Sequence, residues 1–282
     1  MKTFNTNTST QIHTSVTHKT LSQNGYDIHY FVSGEHHKNT ILFLHPAFSD
    51  HRAFDSQIDH FSSKYRLITV DLIGHGLSKT GKSKDKIDAS SNHIFQILDQ
   101  EGIEKVHVVG TSMGSLVAQH FAFQHPQKIL SLTALGGYNI HHENKEVEKA
   151  QRSSNLGLIL RALFSMESFR KKTSEITCFT PEGKSLFYKA SSLYERKSFM
   201  VMQGFQNIIK NRDSIQIPYP TLILTGEHDI PLALKMAHQW HNDLENSTSI
   251  IIDNAGHCAH MDQPSAFNLL VDQFISKTAS GK

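Results

Sequence analysis

Ser112 lies in Val108-Val109-Gly110-Thr111-Ser112-Met113-Gly114-Ser115, where β-branched residues run through Gly-x-Ser-x-Gly into a helical pattern. A serine hydroxyl is a weak nucleophile until a base takes its proton and an exposed position presents it. A sharp turn from a buried strand into a helix supplies the exposure, and glycines at 110 and 114 let the helix approach closely. The chemistry offered is acyl transfer through a covalent ester on Ser112. The base needs a pKa near operating pH, which suits histidine. His257, in Asn254-Ala-Gly-His-Cys-Ala-His260, follows a strand-like run directly and is preferred to His260.

A histidine base needs a buried carboxylate to fix its tautomer and to stabilise the imidazolium. Asp229, in Leu224-Thr-Gly-Glu-His-Asp-Ile-Pro231, is the candidate; Asp253, Glu227 and Asp213 read as solvated or as strand-end residues. An oxyanion needs two N–H donors aimed at the oxygen that gains charge. One is expected from the Met113 backbone. The other is expected from Ala47, in His45-Pro46-Ala47-Phe48, because Pro46 has no N–H. Cys178 and Cys258 are the only cysteines and read as free thiols, with Cys258 expected at the pocket.

These groups can meet only if the chain brings them to one edge. Thr17 to Gln23 and Tyr26 to Ser33 read as a hairpin about Asn24-Gly25. Asn39 to His45, Arg66 to Leu72, Glu104 to Val109, Lys128 to Leu135, Thr221 to Gly226 and Ser249 to Asp253 read as buried strands. Helices are predicted over Ile87 to Gln100, Met113 to His125, Pro231 to Asn242 and Pro264 to Ser276. This alternation implies a mostly parallel sheet with helices on both faces. Ser112, Asp229 and His257 then all fall at carboxyl ends of strands, the edge where open α/β sheets carry their sites.

The alternation stops near Tyr138 and resumes at Pro220. Residues 138–217 read as an inserted helical lid, with residues 1–137 and 218–282 as the core and residues 1–10 disordered. Thr180-Pro181-Glu182 is a helix-start signal. The insertion holds 13 Lys/Arg and 8 Asp/Glu, a net +5 that reads chiefly as solvated helix faces. Met166, Phe169, Phe199 and Met202, with Phe48 and Cys258, are read as a substrate wall. The alternative is that the insertion's apolar side chains only dock it onto the core.

The chain resembles the α/β-hydrolase superfamily, in particular small bacterial esterases with a lid. The resemblance runs from about Tyr26 to the C-terminus. It rests on His45-Pro46, Asp71-Leu-Ile-Gly-His-Gly-Leu-Ser78, Gly110-Thr-Ser-Met-Gly114, Gly226-Glu-His-Asp229, Ala255-Gly-His257, Asp262-Gln-Pro264 and Phe267. The order Ser112, Asp229, His257 is that of the superfamily. One departure is Pro46, where the family usually has glycine. The resemblance implies an α/β-hydrolase fold and a serine hydrolase of small carboxylic esters that uses no cofactor or metal. It also allows thioester, lactone or carbon–carbon bond hydrolysis, acyl transfer, or a receptor-like protein of slow turnover. In this family His45, His75 and Ser78 are expected to brace loops rather than react.

Composition agrees. The 282 residues carry a formal charge of +2, which gives no electrostatic case for nucleic acid. No apolar run approaches the ~20 residues of a membrane span, and the polar start lacks a signal-peptide apolar region, so a cytoplasmic protein is expected. The 20 histidines show no zinc-ligand spacing and are expected mostly at the surface. The expected partner is a small-molecule ester.

Overall fold

The computed structural model describes residues 15–212 and 215–279; the readings of residues 1–10 and of Asp213 fall outside them. Strands β1 (Thr17–Gln23) and β2 (Tyr26–Ser33) form the expected antiparallel hairpin, and Gly25 turns it at φ +91°. The remaining strands are β3 (Thr40–Leu44), β4 (Arg66–Val70), β5 (Val106–Thr111), β6 (Ile129–Leu135), β7 (Thr221–Gly226) and β8 (Ser247–Ile252). They form one eight-stranded sheet in the order β1-β2-β4-β3-β5-β6-β7-β8. Only the β1·β2 and β2·β4 pairings are antiparallel.

Helices α1 (Asp55–Phe61), α2 (Ser90–Gln100) and α3 (Met113–Gln124) alternate with the first strands. Between β6 and β7 come α4 (Lys145–Phe164), α5 (Met166–Thr177), α6 (Pro181–Ala190), a 3₁₀ segment over Arg196–Gly204, and α7 (Phe205–Ile208). Then follow α8 (Pro231–Asp243), α9 (Ala259–Asp262) and α10 (Pro264–Ala279). In β5, Val108 belongs to the buried cluster that holds Leu116, Phe121 and Trp240, whereas Val109 belongs to the one that holds Phe61, Phe267 and Ile275. The central strand therefore buries both faces, which explains its unbroken β-branched run.

Several boundaries differ from the sequence reading, most by one to three residues. Strand β5 starts at Val106 because Glu104 and Lys105 are exposed ahead of the ladder. Strand β8 starts at Ser247, which pairs with Thr221, and stops before the exposed Asp253. The helix expected from Ile87 begins with a tighter 3₁₀ turn over Ile87–Ala89. The α6 start is as read: the Thr180 side chain accepts from Gly183 N–H, and Pro181 occupies the first turn.

Candidate active site

Ser112 joins β5 to α3 with φ +52° and ψ −116°, a conformation that non-glycine residues rarely hold. It is pinned on both sides. Its N–H donates to the Leu135 carbonyl at 2.7 Å, and its carbonyl accepts from the Ser115 hydroxyl at 2.7 Å and the Ser115 N–H at 2.9 Å. The flanking glycines are required by close approach. A Cβ at Gly114 would lie 2.0 Å from the Leu44 carbonyl oxygen, and one at Gly110 would lie 2.4 Å from the Gly114 carbonyl oxygen.

Asp229 and His257 reach this serine from the ends of β7 and β8. The His257 ring joins Ser112 Oγ through Nε2 at 2.8 Å and Asp229 Oδ1 through Nδ1 at 2.8 Å. A carboxylate cannot donate, so Nδ1 carries the proton; Nε2 is then bare and accepts from the serine hydroxyl. Burial opposes the imidazolium, but attraction and hydrogen bonding from Asp229 outweigh it and raise His257 above the ordinary 6.5. Asp229 also accepts the Ile230 N–H at 2.7 Å, which orients its carboxylate. Gly136 makes room for the imidazole: it takes φ +61°, and a Cβ there would meet His257 Cε1 at 2.8 Å.

Asp262 is a hub that the sequence reading placed only within the family pattern. Its carboxylate accepts from Gly256 N–H at 2.8 Å, Phe179 N–H at 2.9 Å, Thr180 N–H at 2.8 Å and the Thr180 hydroxyl at 2.8 Å. It thereby ties the His257 loop to the chain entering α6. His260 is buried between Phe54 and Phe267, and burial pushes it down to about 3; it belongs to the core and does not approach Ser112.

The loop after β3 is held by its own histidine. His45 Nδ1 donates to the Pro46 carbonyl at 2.9 Å, and Nε2 accepts the Leu72 N–H at 3.0 Å. The Ser49 hydroxyl reaches the same Pro46 carbonyl at 2.8 Å, and Phe48 takes φ +69°. Pro46 therefore occupies a well-anchored turn. Among the described residues, neither Ala47 N–H nor Met113 N–H donates to another group. Asp71 braces the next loop by accepting from His51 N–H, His51 Nδ1 and Leu77 N–H at 2.8, 2.9 and 2.8 Å. Asp50, His51 and Asp71 cluster closely enough to suggest a metal, but Arg52 pairs with Asp50 and His51 with Asp71, so these groups satisfy one another.

Four of the predicted wall residues meet in one apolar cluster: Phe48, Met166, Phe169 and Phe199, joined by Leu158, Ala162 and Tyr194. Met202 packs instead against the core cluster of α2 and α3, and Cys258 lies with Cys178, Phe187 and Met261. Burial and the neighbouring Cys178 push the Cys258 thiol well above its ordinary value, which favours the protonated form over the thiolate nucleophile. Tyr194 escaped the sequence reading although it is the hinge pin of this cluster, with its ring 5.2 Å from Phe48 and 5.0 Å from His75. Spacing gave no signal for it, because it sits in a turn rather than on a helix face. Most of the described histidines are exposed or part-exposed, as expected, but His45, His75, His93, His107, His120, His141 and His260 are buried. The signal was present, since His107 falls inside β5 and His120 on the buried helix α3.

Residues 39–264 match the family described as alpha/beta hydrolase fold. The chain belongs to that family. Among its relatives, epoxide hydrolase 1 of Caenorhabditis elegans is 24% identical over 89% of this chain and 68% of its own length. An uncharacterized carboxylesterase of Bacillus subtilis is 25% identical over 88% of this chain and 83% of its own length. A thermophilic esterase from Thermogutta terrifontis, solved with malate bound, aligns with a TM-score of 0.76 at 18% identity, covering 93% of this chain and 99% of that one. At that identity the likeness is one of fold. Membership of the alpha/beta hydrolase family supports a hydrolytic activity. Among the described residues no helix is long and apolar enough to cross a membrane.

Proposed function

We propose that the protein is a serine hydrolase of small carboxylic esters. The observation that carries this reading is the continuous Ser112–His257–Asp229 hydrogen-bond chain, 2.8 Å at each link, beginning at a serine held in strained backbone. Ser112 Oγ attacks the ester carbonyl while His257 Nε2 takes its proton. The tetrahedral oxyanion is stabilised by the open N–H groups of Met113 and Ala47. His257 returns the proton to the departing alkoxide and leaves an ester on Ser112. Water, deprotonated by His257, then releases the carboxylic acid and restores the serine.

The epoxide hydrolase among the relatives performs a different reaction, and the nucleophile weighs against it here. Opening an epoxide with Ser112 would leave an alkyl ether, which has no carbonyl for water to attack. In this account residues 138–217 act as a lid whose Phe169, Phe199 and Met166, with Phe48 of the core, form the wall met by substrate. Hydrolysis of p-nitrophenyl esters from acetate to palmitate tests the proposal. Wild type is expected to turn over one range of chain lengths, and Ser112→Ala to lose several orders of magnitude in kcat with its fold intact. Near-parental turnover by Ser112→Ala would overturn the assignment.

A further inference from the structure

Away from Ser112, a cavity of about 370 Å³ opens at the C-terminal end of α3. It is bounded by both chain segments that connect residues 138–217 to the sheet: His141 on the outgoing side, Arg212 and Ile217 on the returning side. Phe123, Pro126, Ile217 and Tyr219 give it an apolar wall, and Arg212 supplies the charge at its polar end.

The Arg212 guanidinium can be accounted for group by group. Its face lies over the Phe123 ring at 4.6 Å. Nη1 donates to the Ile140 carbonyl at 3.3 Å, the Lys210 carbonyl at 3.4 Å and His141 Nδ1 at 3.2 Å. Nη2 donates to the Ile208 carbonyl at 3.1 Å. Among the described residues, nothing accepts from Nε or from a second Nη2 hydrogen, and no carboxylate pairs with this arginine. The Nε–Nη2 edge is the one that takes a carboxylate through two parallel hydrogen bonds. His141 is pushed down to about 4 by burial and by Arg212, so it stays neutral beside the guanidinium.

We propose that this cavity binds a carboxylate carried on a hydrophobic body, with the carboxylate on the open edge of Arg212 and the apolar part along Phe123, Ile217 and Tyr219. One guanidinium edge matches one carboxylate, and the apolar wall matches a chain or ring behind it. Such a ligand would touch the core and both connections of the insertion at once, and would restrain their relative movement. The site stands apart from Ser112 and does not depend on the esterase reading.

Isothermal titration of the full chain with octanoate, and with 1-octanol as the uncharged control, tests the site. Octanoate is expected to bind with one-to-one stoichiometry and octanol at least about tenfold more weakly. Gln216 is an exposed cavity residue, and Gln216→Glu sets a carboxylate near Arg212. This variant is expected to keep the parental circular dichroism and to weaken octanoate at least about tenfold, as is Arg212→Gln. Parental octanoate affinity in Gln216→Glu, equal affinity for octanol, or no octanoate binding would each overturn the proposal.

Discussion

His257 is buried enough that an isolated imidazolium there would be disfavoured, yet the Asp229 carboxylate at 2.8 Å reverses the balance and raises it above 6.5. The sign of the pH dependence follows. The neutral ring is the base, so protonation removes activity as pH falls through the raised value. The acid limb of kcat/KM is therefore expected above pH 6.5 when followed by pH-stat. Asp229→Asn removes the attraction but leaves the burial, so its limb is expected below 6.5, alongside a loss in kcat of about 10⁴ of the kind seen when a triad histidine is held in the wrong tautomer. A limb in Asp229→Asn at or above that of the parent would show that the carboxylate does not set this histidine.

The turn between α6 and the 3₁₀ segment joins the insertion to the sheet side by polar and aromatic contacts. Arg52 donates to the Ser192 hydroxyl at 2.9 Å and Lys79 to the Leu193 carbonyl at 2.6 Å, while Arg170 of α5 holds the turn from within the insertion by donating to the Ser191 carbonyl at 3.1 Å. Tyr194 is thereby driven inward until it is 1% exposed, and its hydroxyl has no hydrogen-bond partner among the described residues. His75 Nε2 beside it is likewise unpartnered and buried. An unpaired buried hydroxyl costs roughly 1–3 kcal/mol, so Tyr194→Phe is expected to stabilise the fold by about 1 kcal/mol, or about 2 °C in Tm by calorimetry. A lowered Tm would mean that the hydroxyl has an acceptor in solution. The contrast with Ser112 shows what sequence can carry. The strand–turn–helix around Ser112, the hairpin at Asn24-Gly25 and the Thr180-Pro181 start all rest on local backbone chemistry, which neighbouring residues specify. Tyr194, Asp262 and the sorting of Met202 and Cys258 away from the aromatic cluster depend on how α4 to α6 pack over the sheet, and spacing along the chain says nothing of that.

Across the whole molecule, buried histidines make the fold sensitive to acid. Burial pushes His75 and His260 down to about 3, and His93, His107, His120 and His141 to about 4. The unfolded chain binds these protons from about pH 6.5 downward while the folded chain refuses them, so stability falls as pH drops from 6.5 toward 4. His257 has the opposite sign, since its raised value favours the folded state at low pH, but it is one group against six. Tm is expected to decline steadily below pH 6.5, with protons taken up on unfolding; a flat Tm from pH 7 to about 4.5 would contradict this. The central claim, that the sheet edge activates one serine, is tested most directly by labelling with a fluorophosphonate and locating the adduct by mass spectrometry. One adduct per chain is expected on Ser112, absent in Ser112→Ala and formed far more slowly in His257→Ala. No adduct, or an adduct on another residue of the wild-type chain, would contradict the account.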